Sequence, residues 1–335
     1  MHIQSLYIKD FKNIKEQTFD LSTHNGLTLL IGNNGCGKSN LLESISYIFF
    51  KLYQNEKDFS IDFALKYKMF DNSDVDIKFQ DNELVENIQS YPKRVIAIYS
   101  GEEQRMWSKY YSPIYSSYIK SINRQAQDGT LPQMLYLSKL MWNIALLSLL
   151  CSEAEDNQSF VREFLGITEV NKIEFTIQHD NDAEYKGSPI LNLVGKLAKA
   201  SHYTLDEFKQ IVDYIDINTI FIYLYIASAF YKKNSLLKNI VITFNGGLTI
   251  KDLSEGQKKL MLVKAALEFA GAENTLYLLD EPDAHIHIGN KIKLLDIIQQ
   301  YTNNRHVILT THSPSMAASV YLKFRDRLSR LHGMC

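Results

Sequence analysis

The segment GNNGCGKS at residues 32–39, called the phosphate loop below, constrains the fold of this chain more than any other feature. It fits the pattern G-x-x-x-x-G-K-[ST], and it lies between an apolar run, Leu27 to Ile31, and a helical-looking segment, Asn40 to Tyr53. In a strand–loop–helix unit of this kind, backbone N–H groups and the positive end of the helix converge on phosphate oxygens. The sequence therefore predicts that the chain binds a nucleoside triphosphate.

The residues of the phosphate loop have distinct expected roles. Lys38 is expected to reach the β- and γ-phosphates and to serve catalysis there, and the Ser39 hydroxyl is expected to ligate Mg²⁺. The remaining expected nucleotide contacts are Gly32, Asn33, Asn34, Gly35, Cys36, Gly37 and Asn40. ATP and Mg²⁺ are thus the expected ligands.

A short apolar run that ends in two carboxylates lies far downstream, in the segment LYLLDEP at residues 276–282. Such a run is typical of a buried strand in a parallel sheet, and ligands bind beyond the carboxyl end of such a strand. Asp280 is expected to hold the Mg²⁺ shell, and Glu281 is expected to orient and deprotonate the attacking water. Together with the phosphate loop, this pair predicts ATP hydrolysis.

Two more segments complete the pattern: LSEGQ at 253–257, which precedes a helical stretch, and VILTTHSP at 307–314, a second buried-strand pattern. The first resembles the LSGGQ signature of ABC-type ATPases, and His312 in the second matches their switch histidine. The resemblance implies that His312 contacts the γ-phosphate. It also implies that Ser254, Gly256 and Gln257 contact the nucleotide of another subunit, so that ATP holds a head-to-tail homodimer. An ordinary helix N-cap would explain Ser254 alone.

The segment DEPDAHIH at 280–287 resembles the DEPxAHLH pattern of the ATPases in OLD-type nucleases and related phage-defence proteins. Gly289 stands where that pattern usually has proline. The opening segment, Ile3 to Asn13, resembles the first strand of the SMC/RecF/OLD group. The resemblance implies an α/β fold, an ABC-ATPase head with an inserted, mainly α-helical lobe. His285 and His287 have no third ligand nearby, which favours loop contacts over metal ligation.

Spacing sets the predicted domain organisation. Ser254 follows Lys38 by 216 residues, far more than in transporter nucleotide-binding domains. We expect an ATPase lobe formed by residues 1–53 and 240–320, an inserted β/α-helical region at 54–239, and a basic tail at 321–335. The expected helical stretches of the insertion are 131–151, 159–165 and 205–233, and its expected strands are 74–80 and 94–99. Gln80 is the preferred candidate for a Mg²⁺-linking glutamine, and Gln104 is the alternative.

Composition and charge limit the partners. The formal net charge is −2, so DNA binding would need a local patch such as residues 105–124, where basic and aromatic residues alternate. Tyrosine-rich helices are also commonly half-buried. No apolar run reaches the roughly 18 residues of a membrane span, and no signal peptide precedes the first strand. We therefore expect a cytoplasmic protein without a membrane partner, and three cysteines indicate neither a zinc hook nor a disulfide framework.

The leading functional hypothesis is an ATP-driven sensor or switch of a prokaryotic anti-phage defence or DNA-transaction system. In OLD-type proteins the chain continues into a Toprim nuclease domain, whereas here no acidic metal-binding constellation follows Pro314. The expectation is that the effector, a nuclease or another toxin, is a separate polypeptide, or that the chain is truncated. The alternatives are a RecF-like DNA-repair clamp and, disfavoured by the insertion, a transporter subunit.

Overall fold

The computed structural model describes residues 1–23, 25–33, 35–99, 106–122, 131–180, 182–228 and 235–323, with side chains up to residue 319. The strands, numbered in chain order, are β1 His2–Phe11, β2 Ile14–Asp20, β3 Leu27–Ile31, β4 Phe63–Lys68, β5 Asp74–Gln80, β6 Glu83–Glu86, β7 Arg94–Tyr99, β8 Met134–Leu137, β9 Val170–Ile177, β10 Leu237–Phe244, β11 Thr275–Asp280 and β12 Arg305–Thr311. The α-helices are α1 Lys38–Tyr53, α2 Ser112–Lys120, α3 Trp142–Cys151, α4 Glu155–Ser159, α5 Pro189–Leu197, α6 Leu205–Val212, α7 Ile217–Ala227, α8 Glu255–Ala265, α9 Ile288–Gln300 and α10 Pro314–Lys323.

Short helical segments of other types lie between these elements. The 3₁₀ segments are Lys139–Met141, Asp182–Tyr185 and Ile250–Asp252. The π-helical segments are Trp107–Tyr111, Phe160–Phe164 and Ala266–Ala270.

The chain divides into two units that alternate along the sequence. The first unit contains residues 1–114, 133–136 and the chain from 271 onward, and the second contains residues 115–132 and 137–270. The first unit holds two five-stranded sheets, and the second holds one two-stranded sheet and most of the helices. The predicted mixed α/β class is confirmed.

One sheet of the first unit has the strand order β3-β12-β11-β7-β8, and its pairings β3–β12, β12–β11 and β11–β7 are parallel. Buried apolar residues fill these strands on both faces, as a parallel sheet covered on both sides requires. Ile31 pairs with Thr311, and Asp280 pairs with Tyr99. The carboxyl ends of four strands therefore meet at one edge.

The other sheet of the first unit has the order β2-β1-β4-β5-β6 and is antiparallel throughout. Its strands alternate between buried and solvent-facing residues, as in β5, where Val75, Ile77 and Phe79 are buried. This alternation is what a sheet with one covered face needs. The predicted strands at 74–80 and 94–99 are both present.

The second unit is mainly helical, as expected for the inserted lobe. Helices α3 and α7 are apolar on nearly all sides and buried, so they form its centre. α8, which begins within the LSEGQ segment, packs against α3. Strands β9 and β10 form an antiparallel pair.

Several predicted boundaries differ from the structure. Residues 54–99 belong to the first unit because β4 to β6 extend the sheet of β1 and β7 pairs with β11, whereas residues 240–270 belong to the second unit. The expected helix at 131–151 begins with a strand, β8. The expected helix at 205–233 is two helices, because the Asp216 side chain accepts the Thr219 N–H and starts α7. The part of that stretch after residue 228 lies outside the described residues.

Hydropathy along the helices gives one further result. Among the residues that the structure describes, no helix combines the length and the apolar character that crossing a bilayer requires.

A buried histidine, His306 in β12, connects three segments of the first unit. Its Nδ1 accepts the Ile3 N–H at 3.0 Å, and its Nε2 lies 2.9 Å from the Thr28 hydroxyl. That hydroxyl donates to the Leu21 carbonyl oxygen at 2.9 Å, so it can only accept from His306. The ring is therefore neutral with its proton on Nε2, and burial lowers the pKa of His306 well below 6.5.

We predict that acid destabilises the fold through His306. Because its pKa is lower in the folded state, the unfolded chain binds the proton more tightly, so this stability is complete above pH 6.5 and falls below it. One such group contributes a slope of about 1.4 kcal/mol per pH unit in the free energy of unfolding. The measurement is urea unfolding from pH 8 to pH 5. His306→Asn, which keeps an acceptor for Ile3, should flatten the slope.

The matched control is His202→Asn, a change at an exposed histidine, which should leave the slope as it is in the unchanged chain. Equal slopes for the unchanged chain and His306→Asn would contradict the assignment of acid sensitivity to His306.

Candidate nucleotide-binding site

The phosphate loop connects β3 to α1, in the strand–loop–helix context that the sequence predicts. Gly35 and Gly37 have φ angles of 83° and 104°, a left-handed conformation that disfavours residues with a Cβ. Lys38 is 4% exposed, and its Nζ donates to the carbonyl oxygens of Gly32 at 2.8 Å and Asn33 at 3.1 Å. The loop thus curls around the ammonium group that is expected to meet phosphate.

Asn13, in the turn between β1 and β2, holds the phosphate loop from outside. Its Nδ2 donates to the Gly35 carbonyl oxygen at 3.1 Å, and its Oδ1 accepts from Asn40 Nδ2 at 2.7 Å. A Cβ on Gly37 would lie 3.0 Å from the same Oδ1. Sequence reasoning used Asn13 only for a family resemblance and missed this contact, which joins segments distant in sequence.

Asp280, at the end of β11, is the centre of the site. Its Oδ1 accepts hydrogen bonds from Ser39 Oγ at 3.0 Å and from Thr310 Oγ1 at 2.7 Å. The carboxyl group is nearly buried, and burial raises the pKa of Asp280 although both hydrogen bonds and the charge of Lys38 act in the opposite direction. One carboxylate oxygen thereby joins α1, β11 and β12.

The pair formed by Ser39 and Asp280 fits Mg²⁺. A hydroxyl and a carboxylate are the oxygen donors that this ion prefers. A cation beside the buried carboxylate would also offset the burial that disfavours its charged form. The predicted metal role of both residues stays a prediction, and their proximity supports it.

Glu281 lies next to the end of β12. Its φ is 48°, which is uncommon for a residue other than glycine, and its N–H donates to Thr310 Oγ1 at 2.9 Å. Its Oε1 lies 3.4 Å from Nδ1 of His312, and both side chains are partly exposed. The structure thus brings together the expected water-activating carboxylate and the expected switch histidine.

Thr310 is a site residue that sequence reasoning missed. Its hydroxyl accepts from the Glu281 N–H and donates to Asp280, so it fixes both carboxylates relative to β12. The only sequence signal is a polar pair, Thr310-Thr311, at the end of an apolar strand. Two adjacent threonines do not indicate which residues they contact on a neighbouring strand, because the sequence does not show which strands lie side by side.

Of the two histidines after the carboxylates, His287 has a local structural role. His287 caps α9, where its Nδ1 accepts the Gly289 N–H at 3.3 Å, a bond that proline in this position could not make. His285 has a φ of 59°. Within the described residues, no cluster of three or more His, Cys, Asp or Glu side chains could hold a metal ion.

The LSEGQ segment forms the start of α8 in the second unit. Ser254 Oγ accepts the Gln257 N–H at 3.2 Å, and Gln257 Oε1 accepts the Ser254 N–H at 2.9 Å, a reciprocal capping box. Gln257 Nε2 also donates to the Phe164 carbonyl oxygen at 2.9 Å. Gly256 is buried in the first turn. The helix N-terminus expected from the motif is present, and its proposed contact with another subunit's nucleotide stays a prediction.

The candidates for a Mg²⁺-linking glutamine lie in different places. Gln80 ends β5 in the antiparallel sheet, where it pairs with Glu83 and is exposed, so the structure does not bring it to the edge that carries Asp280. β7 does end there, at Tyr99. The alternative, Gln104, follows β7 but lies outside the described residues, as does Asn34 of the phosphate loop.

The aromatic stretch proposed for DNA stacking is buried. Trp107, Tyr110, Tyr111, Tyr115 and Tyr118 are each at most 7% exposed. Their rings contribute to the protein interior and offer no stacking platform for bases. The flanking basic residues Arg105 and Arg124 lie outside the described residues.

Comparison with protein families identifies the chain. The family model AAA_21, described as "AAA domain, putative AbiEii toxin, Type IV TA system", matches residues 27–318. The chain belongs to this family. The match extends over both units, and it confirms the prediction of an ATPase domain.

Individual relatives are distant. An ATP/GTP phosphatase of Helicobacter pylori (strain ATCC 700392 / 26695) is 23% identical over 332 residues, covering 93% of this chain and 85% of that protein. The DNA replication and repair protein RecF of Picosynechococcus is 44% identical over 48 residues, 14% of this chain and 12% of that protein. A solved Smc head domain from Pyrococcus furiosus is 17% identical with a TM-score of 0.42, covering 95% of this chain and 91% of that one.

We predict that Thr310→Val lowers the rate of ATP hydrolysis by about ten-fold or more. Valine keeps the shape of threonine but removes the hydroxyl that positions both Asp280 and Glu281, and small misplacements of catalytic groups reach effects of about 10²-fold. The Glu281 N–H would lose its hydrogen-bond acceptor, which should also lower the free energy of unfolding by about 1–3 kcal/mol. Steady-state hydrolysis and urea unfolding measure the two effects.

Thr302→Val is the matched control, since Thr302 is also buried and its hydroxyl donates to a backbone carbonyl oxygen, that of Gln299. It should lose stability without losing turnover. If both variants hydrolyse ATP at the unchanged rate, Thr310 does not position the carboxylates.

Proposed function

We propose that this chain hydrolyses ATP at the site around Asp280. The observation that carries the proposal is the pair of hydrogen bonds from Ser39 and Thr310 to Asp280, beside the 3.4 Å contact between Glu281 and His312. A phosphate-binding loop, a carboxylate suited to a metal ion and a second carboxylate suited to a water molecule thus lie at one sheet edge. The AAA family membership and the name of the Helicobacter relative support the same reaction.

Each residue has a defined part in the proposed reaction. The phosphate loop binds the β- and γ-phosphates through backbone N–H groups and Lys38. Mg²⁺, held by Ser39 and Asp280, would neutralise phosphate charge as the bond breaks. Glu281 orients the attacking water and accepts its proton, and His312 donates a hydrogen bond to the γ-phosphate while its ring lies beside Glu281.

The nucleotide would also join two copies of the chain head to tail. The start of α8 is a helix N-terminus, which attracts anions through its free N–H groups and dipole. Glu255 would oppose a phosphate there, but Lys258 Nζ lies 2.6 Å from its Oε1 and offsets the charge. We infer that the α8 N-terminus of one copy contacts the γ-phosphate bound by the other.

In the cell, the proposed role is a sensor or switch of a prokaryotic defence system that controls a separate effector. The family description, which names a toxin of a type IV toxin–antitoxin system, supports the defence part of this role. The short match to RecF keeps a DNA-repair clamp as the second candidate. Hydrolysis stimulated by DNA would favour that candidate over the defence role.

We predict that Glu281→Gln keeps ATP binding and loses turnover. The amide cannot accept the proton of water, and loss of a general base costs about 10²-fold or more. Calorimetry should give an ATP affinity close to that of the unchanged chain, whereas Lys38→Ala, the control, should not bind. A Glu281→Gln chain that still turns over at the unchanged rate would remove Glu281 from the reaction.

We predict that Ser254→Arg abolishes hydrolysis although its own phosphate loop is intact. A one-to-one mixture of Ser254→Arg and Lys38→Ala chains should regain about a quarter of the unchanged rate, because random pairing gives one complete site in half of the symmetric dimers. The measurement is ATP hydrolysis by each variant and by the mixture. Full activity of Ser254→Arg alone would mean that one chain forms the whole site.

A further inference from the structure

Lys291, in the first turn of α9, contacts the loops that follow β11 and β12. Its Nζ donates to Ser313 Oγ at 2.7 Å and lies 3.3 Å from Asp283 Oδ2. The side chains of Lys291 and Asp283 are 13% and 3% exposed. Because water screens so buried a pair weakly, removing the cation would leave the carboxylate without an opposite charge beside it.

Further hydrogen bonds connect the same two loops. Thr311 Oγ1 donates to Asp283 Oδ2 at 2.9 Å and accepts the Ser313 N–H at 2.9 Å. Asp283 Oδ2 therefore accepts a hydrogen bond from Thr311 and pairs with Lys291. Ser313 donates its backbone N–H to Thr311 and accepts from Lys291 through its hydroxyl. The two residues that flank His312 in the chain are thus both fixed.

The side chain of His312 is the more exposed partner in its contact with Glu281. It is 46% exposed, and its contact with Glu281 spans 3.4 Å. Its direction toward Glu281 is consequently set by the backbone of its neighbours, Thr311 and Ser313. Lys291 contacts Ser313 on one side of His312 and, through Asp283, is connected to Thr311 on the other. The Ser313 hydroxyl also lies 2.8 Å from the Ser315 hydroxyl.

We propose that Lys291 is a positioning residue for ATP hydrolysis: it joins the loop after β11 to the loop after β12 and so places His312 beside Glu281. This inference rests on the proposed function, in which Glu281 and His312 act on ATP. Within the part of the chain that the structure describes, Lys291 contacts these loops and not the phosphate loop. The chemical step should therefore depend on Lys291 more than nucleotide binding does.

The experiment compares kcat and KM for ATP in Lys291→Met, Lys291→Arg and Lys293→Met. Lys291→Met should lower kcat by about ten-fold or more through misplacement of His312, with KM changed less than about two-fold. Lys291→Arg keeps the charge and hydrogen-bond donors, so it should recover most of the rate. Lys293→Met removes the same charge from the same helix and should behave as the unchanged chain.

A double variant tests the route of the effect. If Lys291 acts through Ser313, Ser313→Ala should lower kcat in the unchanged chain but change it little in Lys291→Met, because contacting residues are not additive. Equal kcat for Lys291→Met and the unchanged chain, or a loss that appears in KM alone, would overturn the proposal. Turnover by Glu281→Gln and His312→Ala at the unchanged rate would instead overturn the proposed function, so the two failures are distinguishable.

Discussion

The described site depends on one carboxylate oxygen. Asp280 Oδ1 accepts from Ser39 at the start of α1 and from Thr310 at the end of β12, while its own strand, β11, lies between β12 and β7. Burying an acid in this way costs free energy unless donors or a cation compensate it. The fold supplies two donors, and burial still raises the pKa of the Asp280 carboxyl group, so a bound cation would stabilise its charged form.

The parallel sheet is what makes this convergence possible. β3, β12, β11 and β7 all end at one edge, and the described residues that follow β3, β11 and β12 carry the candidate site. The left-handed backbone of Glu281 turns the chain immediately after Asp280, and Thr310 holds that turn through its hydroxyl. The contacts of Lys291 extend the same arrangement to His312 and the loop after β11.

The candidate residues for the chemistry could be named from the sequence because local patterns carry them. Lys38, Ser39, Asp280, Glu281 and His312 each end or follow an apolar strand, and the structure places all of them in the first unit. Their supporting residues were not predictable. Asn13, Thr310 and Lys291 contact strands or loops that are distant in sequence. The periodicity of apolar residues along the sequence does not indicate such contacts. The placement of β8 was missed for the same reason, since four apolar residues before a helix look like its first turn.

The most direct test of the account is calorimetric titration of ATP, with and without Mg²⁺, into the unchanged chain and Asp280→Asn. The asparagine oxygen can still accept from Ser39 and Thr310, so the fold should persist while the charge is lost. We predict that Mg²⁺ strengthens ATP binding to the unchanged chain and has little effect on Asp280→Asn. The same Mg²⁺ dependence in both proteins would contradict the central role of Asp280.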